Sequence, residues 1–177
     1  MRHVRAWIAG ALVLAASATV APAAAPEPRK GTGLPVPRFV SLKTDRVNLR
    51  EGPSKDHRTA WVFQRAGLPV EIVAEYETWR RIRDAEGTEG WVLHSLLSGR
   101  RTALVVPWAK GDPNPVPLYE RADDRAGMVA KLQPNVIVSV KQCTGSWCRI
   151  AVSSDRDLDG FVRQDRLWGV YANERVE

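Results

Sequence analysis

The chain contains a weak internal repeat, and this feature limits its possible folds more than any other. Four groups of residues recur in the same order at a spacing of 68 to 70 positions. They are Val47 and Leu49 with Val116 and Leu118, Gly67-Leu68 with Asn135-Val136, Trp79-Arg80-Arg81-Ile82 with Trp147-Cys148-Arg149-Ile150, and Gly90-Trp91-Val92 with Gly160-Phe161-Val162. Four matches in register favour a duplicated unit over chance similarity.

Each unit consists of short runs typical of β-strands, separated by turn residues and without long helical periodicity. Gly67 and Asn135 occupy the same place in the two units, and both residue types tolerate a positive φ. This pattern predicts two small β-barrels or sandwiches in tandem. Because units of this size bury only a limited core alone, we expect them to pack against each other.

The N-terminus is predicted to be an export signal. Residues 1–5 are basic, residues 6–20 are apolar but too short to span a bilayer, and Ala21-Pro22-Ala23 resembles a cleavage site. An uncleaved anchor helix is the alternative. Residues 24–38 contain four prolines and two glycines, which predicts a flexible linker. The predicted organisation is a signal peptide (1–23), a Pro-rich linker (24–38), a first barrel (39–101) and a second barrel (102–177).

Export would place the mature chain in an oxidising compartment, which we expect to be the periplasm, with secretion into the medium as the alternative. The 26 basic and 20 acidic residues give a net charge of +6, and the two signs are interspersed. This distribution argues against a nucleic-acid partner. Beyond the N-terminus no apolar run reaches about twenty residues, so no membrane span is expected in the mature chain.

The motifs of the first unit resemble the bacterial SH3-like (SH3b) domain. They are Val47-Asn48-Leu49-Arg50-Glu51-Gly52-Pro53-Ser54, then Trp79-x-Arg81-Ile82 and Gly90-Trp91-Val92. The second unit is degenerate, because Val116-Pro117-Leu118-Tyr119-Glu120-Arg121 lacks the Gly-Pro turn. The arrangement resembles exported two-repeat SH3 domain-containing proteins of Gram-negative bacteria. The resemblance implies an all-β chain of two tandem SH3-like small β-barrels, and binding to peptidoglycan or peptides.

One strand of the first unit suggests where a ligand would bind. By the period of two in a strand, Arg80 and Ile82 point inward, and their neighbours share the opposite face. The predicted ligand-binding set is Tyr76, Trp79, Arg81 and Arg83. An aromatic ring beside guanidinium groups can engage carboxylates by stacking and charge-assisted hydrogen bonds. The alternative is that the ring packs between the two units or under a loop, which we favour for Trp147 in the second unit.

Two local features are interpreted as structural. Arg50, Gly52 and Pro53 belong to a turn, although a ligand role for Arg50 is the alternative. Cys143 and Cys148 are close enough in sequence to form a disulfide across a hairpin in an oxidising compartment. A redox-active pair is the alternative. Because Cys143 is out of step with the apolar residues before it, the disulfide requires a bulge or a wide turn in that strand.

The sequence offers little for catalysis or cofactor binding. Asp155-Arg156-Asp157-Leu158-Asp159-Gly160 matches the first half of a calcium loop, but the twelfth position is Arg166 instead of Glu, which favours an acidic turn. His57 and His94 lack paired acids or cysteines at a recognisable spacing. We therefore predict a non-enzymatic protein without cofactor or metal, which recognises peptidoglycan or an envelope peptide. The alternative is a scaffold that docks on another periplasmic protein without wall affinity.

Overall fold

The computed structural model describes residues 31–105, 115–153 and 157–177. The predicted signal peptide and the first part of the predicted linker lie outside these ranges. The described chain is all-β, as predicted, apart from two short 3-10 helices, His94–Leu96 and Gln164–Arg166. Neither of these helices is long and apolar enough to cross a membrane.

The first repeat forms an antiparallel sheet of seven strands. They are β1 Arg38–Leu42, β2 Val47–Arg50, β3 Thr59–Phe63, β4 Pro69–Tyr76, β5 Trp79–Arg83, β6 Glu89–Leu93 and β7 Leu97–Ser98. The spatial order is β3-β2-β6-β5-β4-β1-β7. Alternate residues point to the inner face and form a closely packed core. This core comprises Leu42, Val47, Leu49, Phe63, Val70, Ile72, Ile82 and Val92.

The second repeat has the same topology. Its strands are β8 Thr102–Val105, β9 Val116–Tyr119, β10 Met128–Leu132, β11 Ile137–Thr144, β12 Trp147–Val152, β13 Leu158–Arg163 and β14 Leu167–Trp168. Their order, β10-β9-β13-β12-β11-β8-β14, is that of the first sheet with each strand number raised by seven. A short additional strand, β15 Arg175–Val176, pairs with β11. The predicted duplication into two small barrels is therefore confirmed.

Two glycines of the repeat motifs allow a close approach of neighbouring strands, and two other motif residues adopt a positive φ. A Cβ on Gly90 would lie 2.6 Å from Leu49 Cγ, and one on Gly160 would lie 2.6 Å from the Tyr119 carbonyl oxygen. Both glycines therefore let β6 and β13 pass close to the neighbouring strand. Gly67 and Asn135 have φ values of 76° and 65°, as predicted for these turn residues.

Each repeat contains a bulged hairpin. In the first repeat it joins β4 and β5, and in the second it joins β11 and β12. The bulge lies between Ile72 and Ala74 in the first repeat and 68 positions later in the second. In the second repeat it brings Cys143 opposite Cys148, and the two form a disulfide with a Cα–Cα distance of 4.1 Å. The predicted disulfide and the bulge that it requires are thus present.

The first repeat has an ion pair at the position of this disulfide. Glu75 lies opposite Arg80, exactly 68 positions before the cysteines, and Arg80 Nε is 3.1 Å from Glu75 Oε1. Both side chains are more than nine-tenths buried. Arg38, at the start of β1, and Thr32, in the predicted linker, also donate hydrogen bonds to this carboxylate. Burial opposes the ionisation of Glu75, but these partners outweigh it and lower its pKa from 4.5 to about 2.

The two repeats pack against each other through an aromatic cluster. The Phe39 ring lies 5.0 Å from the Trp168 ring and 4.7 Å from the Tyr171 ring, measured between centroids. The Tyr171 hydroxyl donates a 2.9 Å hydrogen bond to Glu71 Oε1, and burial together with this carboxylate raises the pKa of Tyr171. Thr102 Oγ1 donates to the Gly67 carbonyl at 2.8 Å. These contacts agree with the expected mutual packing.

Removal of the disulfide should destabilise the second repeat moderately. The loop that it closes is short, with a sequence separation of 5, so Cys143→Ala/Cys148→Ala should lower the free energy of unfolding by about 2 kcal/mol. Urea unfolding of the variant, compared with the oxidised and reduced parent protein, checks this value. Equal stability of the oxidised and reduced parent protein would show that the disulfide does not stabilise the fold.

The Glu75 carboxylate should make stability depend on pH. Because its pKa is lower in the folded chain, its contribution is complete above about pH 4.5 and is lost as the pH falls toward 2. Glu75→Gln should lower the free energy of unfolding by about 3 kcal/mol at pH 7, because it leaves buried Arg80 without its carboxylate. The difference from the parent should shrink across this window. Urea unfolding at pH 7, 4 and 2.5 measures it. Glu51→Gln, which removes an exposed partner of Arg58, is the matched control with a small expected effect.

Candidate functional site: an aromatic and cationic face on the first barrel

The outer face of the first sheet carries a cluster of aromatic and cationic residues. Trp91 on β6 lies between Arg50 on β2 and Arg81 on β5, each of which is its direct partner across the sheet. The Tyr76 ring meets the Trp91 ring edge-on, with centroids 6.5 Å apart. Trp79 lies opposite Tyr76 on one side and Leu93 on the other. Cross-strand pairing therefore brings three aromatic rings and two guanidinium groups onto one face, with Trp91 between the two arginines.

A groove with a volume of about 280 Å³ lies beside Trp79. Its lining is Arg46, Asn48, Arg50, Lys55, Trp79, Leu93 and Leu96. Three of these side chains are cationic and none is acidic. The apolar residues come from β5, β6 and the adjacent 3-10 helix. The cations are Arg46 just before β2, Arg50 at its end and Lys55 in the loop after it. The groove thus combines an apolar wall with a positively charged rim.

Trp79 is much less exposed than expected for a ring on the outer face of a sheet. It is on the predicted outer face, yet it is only 7% exposed. Tyr76 and Leu93 flank it on the neighbouring strands, so only part of the ring reaches the groove. The predicted inward direction of Arg80 and Ile82 agrees with their burial.

The structure separates the two predicted arginines. Arg81 is half exposed beside Trp91, and its Nη2 lies 2.8 Å from Glu89 Oε2. Arg83 donates a 2.9 Å hydrogen bond from Nε to Glu71 Oε2, and this carboxylate raises the pKa of Arg83. Since Glu71 also binds Tyr171, Arg83 belongs to the network that joins the repeats. Tyr76, Trp79 and Arg81 are therefore brought together, whereas Arg83 lies in a different contact.

The predicted turn and the groove share Arg50. Its Nη1 donates to the carbonyl oxygens of Lys55 and His57 at 3.0 and 2.7 Å, which folds the loop back over β2. A Cβ on Gly52 would lie 2.3 Å from the His57 ring, so a larger residue there would displace this exposed ring, and Pro53 follows the bend. Arg50 therefore has the contacts of a structural turn residue and also lines the groove.

Sequence reasoning missed several groove residues, and it gave Arg50 a ligand role only as the alternative to a turn role. Asn48 and Arg50 alternate with the buried Val47 and Leu49, so strand periodicity could have placed them on the outer face. Lys55 lies in a loop that the hydrogen bonds from Arg50 hold at the groove. Nothing in the local sequence indicates that Lys55 and Trp79 line the same groove.

The second repeat has an equivalent groove with different chemistry. It is about 300 Å³ in volume and is lined by Pro115, Val116, Pro117, Tyr119, Asp124, Arg163, Asp165 and Arg166. Beside this groove, the Trp147 and Tyr119 rings meet edge-on with centroids 5.7 Å apart. The Arg163 guanidinium lies 5.2 Å from the centroid of the Trp147 ring. The ring that corresponds to Trp79 is therefore engaged by two residues of its own repeat, and not between the two units.

The possible calcium loop is only partly described, since Asp155 lies in the undescribed residues 154–156. Within the described ranges, no group of three or more His, Cys, Asp or Glu side chains is arranged to hold a metal ion. The aromatic and cationic face of the first barrel is the candidate site on which the predicted residues converge.

Loss of the Arg50 hydrogen bonds should loosen the loop over the groove. In Arg50→Met the apolar stem remains but the bonds to the Lys55 and His57 carbonyls are lost, so trypsin should cleave after Lys55 several-fold faster. Arg46→Met removes a groove cation without these bonds and should leave the cleavage rate unchanged. Equal cleavage of both variants and the parent would contradict the turn role.

A family profile of the bacterial SH3 domain matches the chain twice, over residues 43–99 and 112–169. None of the curated proteins matches it. Among solved structures, the chain is similar to NlpC2 of Trichomonas vaginalis, at 14% identity and a TM-score of 0.32, with 75% of this chain and 48% of that chain covered. It is similar to NlpC1 of the same organism at 14% identity and a TM-score of 0.33, with 77% and 47% covered. The chain spans about half the length of each of these two proteins. The profile covers both repeats and more than half of the residues, so the chain belongs to the bacterial SH3 domain family.

Proposed function

We propose that this protein is a non-enzymatic binding module of the bacterial envelope, and that its first barrel holds a carboxylate-bearing stem peptide of peptidoglycan. One observation carries the proposal: the groove beside Trp79 has three cationic side chains, no acidic one and an apolar wall. The family membership supports a binding role, and the predicted export signal would bring the chain to the wall.

The groove suits a short peptide that carries both carboxylates and small apolar side chains. Arg46 and Lys55 are exposed, so a carboxylate can reach them with little loss of hydration. Charge-assisted hydrogen bonds from such groups are about twice as strong as neutral ones. Methyl groups of the peptide would lie against Leu93 and Trp79. Affinity should therefore fall as salt screens the exposed cations.

The neighbouring aromatic face would extend this site. Trp91 is half-buried between Arg50 and Arg81, and its ring is held edge-on by Tyr76. A flat, partly apolar surface of this kind can support the sugar or peptide portion that leaves the groove. Arg81 contributes less charge than an unpaired arginine, because Glu89 lies beside it. We leave Arg83 out of the proposed contact set because Glu71 holds it.

Charge reversal in the groove should abolish wall binding. In Arg46→Glu/Lys55→Glu, two exposed groove cations become anions, and retention on purified peptidoglycan at low salt should fall about tenfold or more. Co-sedimentation of the purified protein measures it. Lys131→Glu/Lys141→Glu is the matched control, since it changes the net charge equally at two exposed positions of the second repeat. That variant should sediment like the parent.

Three other results would have distinct meanings. Equal loss in both variants would indicate attraction by net charge and would contradict a groove site. Retention by both would move the site elsewhere on the protein. If the parent protein does not sediment at any salt concentration, the wall proposal fails and the scaffold alternative leads. Crosslinking in the envelope then identifies the protein partner.

A further inference from the structure

A second cleft, separate from the groove beside Trp79, lies where the two repeats meet. Its volume is about 340 Å³. The first repeat contributes Trp61, Phe63, Leu68 and the turn between β5 and β6, and the second contributes Leu104 and Asn135. Arg65 also lines the cleft and donates a 3.3 Å hydrogen bond to the Asn135 carbonyl, which joins the repeats at this place.

One wall of the cleft is the end strand of the first sheet. Among the described residues, β3 pairs with β2 and with no other strand, so its other backbone edge is free there. Trp61 and Phe63 lie opposite the buried Leu49 and Val47, which places both rings on the inner face of the barrel. Phe63 is 7% exposed, but Trp61 is 59% exposed. The inner apolar face thus continues to a strand edge without a covering strand.

This edge lacks the features that usually prevent strand pairing. The residues of β3 are Thr-Ala-Trp-Val-Phe, without a charge or a proline, whereas protected edges commonly carry Lys or Pro. The equivalent strand β10 does contain a lysine, Lys131. An added strand on β3 would extend the inner face, cover Trp61 and direct alternate side chains toward the cleft.

The charge beside this edge indicates what such a strand should carry. Asp84 and Glu86, in the turn between β5 and β6, line the cleft. Asp84 Oδ1 already accepts hydrogen bonds from the backbone N–H groups of Glu86 and Thr88, at 3.0 and 2.8 Å. No side-chain partner of Glu86 is present in the described residues, and Glu86 is exposed. An acid beside an exposed indole favours a lysine or arginine side chain.

We propose that the free edge of β3 and the adjoining cleft bind an extended peptide segment of a protein partner by strand addition. The segment alternates apolar side chains with polar ones and places a Lys or Arg side chain between Trp61 and Glu86. This site is independent of the proposed wall site: it lies on other strands, and its rim carries two acids, Asp84 and Glu86, with one cation, Arg65.

Fluorescence anisotropy with a labelled model peptide tests this site. The probe is fluorescein-labelled Gly-Lys-Thr-Val-Thr-Val-Gly, added to the purified protein. Its anisotropy should rise to saturation, and Trp61→Ala should weaken binding about tenfold. Because Trp61 is largely exposed, this variant should fold normally, which circular dichroism verifies. Val129→Ala, on the equivalent edge strand β10, is the control and should bind like the parent.

Two modified probes separate strand addition from simple adhesion. Methylation of alternate backbone nitrogens removes the donors that pair with β3, so this probe should not bind. A probe with Glu in place of Lys should bind more weakly to the parent protein, and the Glu86→Lys variant should restore its affinity. Binding that survives methylation and Trp61→Ala, absence of binding at millimolar peptide, or full hydrogen-exchange protection of both edges of β3 without peptide would overturn the proposal.

Discussion

The bulged hairpin between β4 and β5 is the feature on which the first barrel and its candidate site both depend. The bulge after Ile72 brings Glu75 opposite Arg80 and Tyr76 opposite Trp79. The first pair forms the buried ion pair, and the second forms part of the aromatic face. Glu75 also binds Arg38 and Thr32, so the same carboxylate ties the start of β1 to the hairpin. One local irregularity therefore connects stability with the position of the candidate site.

The second repeat links the two strands of its bulged hairpin by a different interaction. Its bulge is conserved in position, but a disulfide between Cys143 and Cys148 replaces the ion pair. The Arg81–Glu89 pair, by contrast, has a direct counterpart in Arg149–Asp159, also at 2.8 Å. The two repeats thus share their strand order and the position of the bulge, but the link across the hairpin is an ion pair in the first and a disulfide in the second. A buried ion pair is costly to break by removing one partner, and a disulfide acts mainly on the unfolded chain.

The two grooves diverge in a way that bears on function. In the first repeat the groove is cationic, with Trp79 forming part of its wall. In the second, arginine replaces Leu93 and tyrosine replaces Arg50, and both replacements contact Trp147. The Trp147 ring therefore contacts residues of its own repeat on the side of the groove. Trp79 and Trp147 are about equally buried, so the charge of the groove is the difference on which the proposal of a binding site in the first barrel rests.

Much of the fold could be predicted because its determinants are local. The period of two placed Ile82 inside, the turn residues Gly67 and Asn135 marked equivalent bends, and the phase of Cys143 required a bulge that is present. The site was harder to predict because its parts meet through long-range pairing. Trp91 joins Tyr76 and Arg81 only across three strands, and Arg83 is held by Glu71, whose other partner, Tyr171, is 100 positions away.

Residue-by-residue mapping of the proposed wall-binding site is the most direct test of a groove on the first barrel. Two-dimensional nuclear magnetic resonance of the nitrogen-15-labelled protein, titrated with soluble peptidoglycan fragments, provides this map. We expect shifts of the Trp79 and Trp91 indole signals and of the backbone amides from Arg46 to Lys55, with the Trp147 indole unchanged. Shifts confined to the second repeat, or no shifts at saturating fragment, would contradict it.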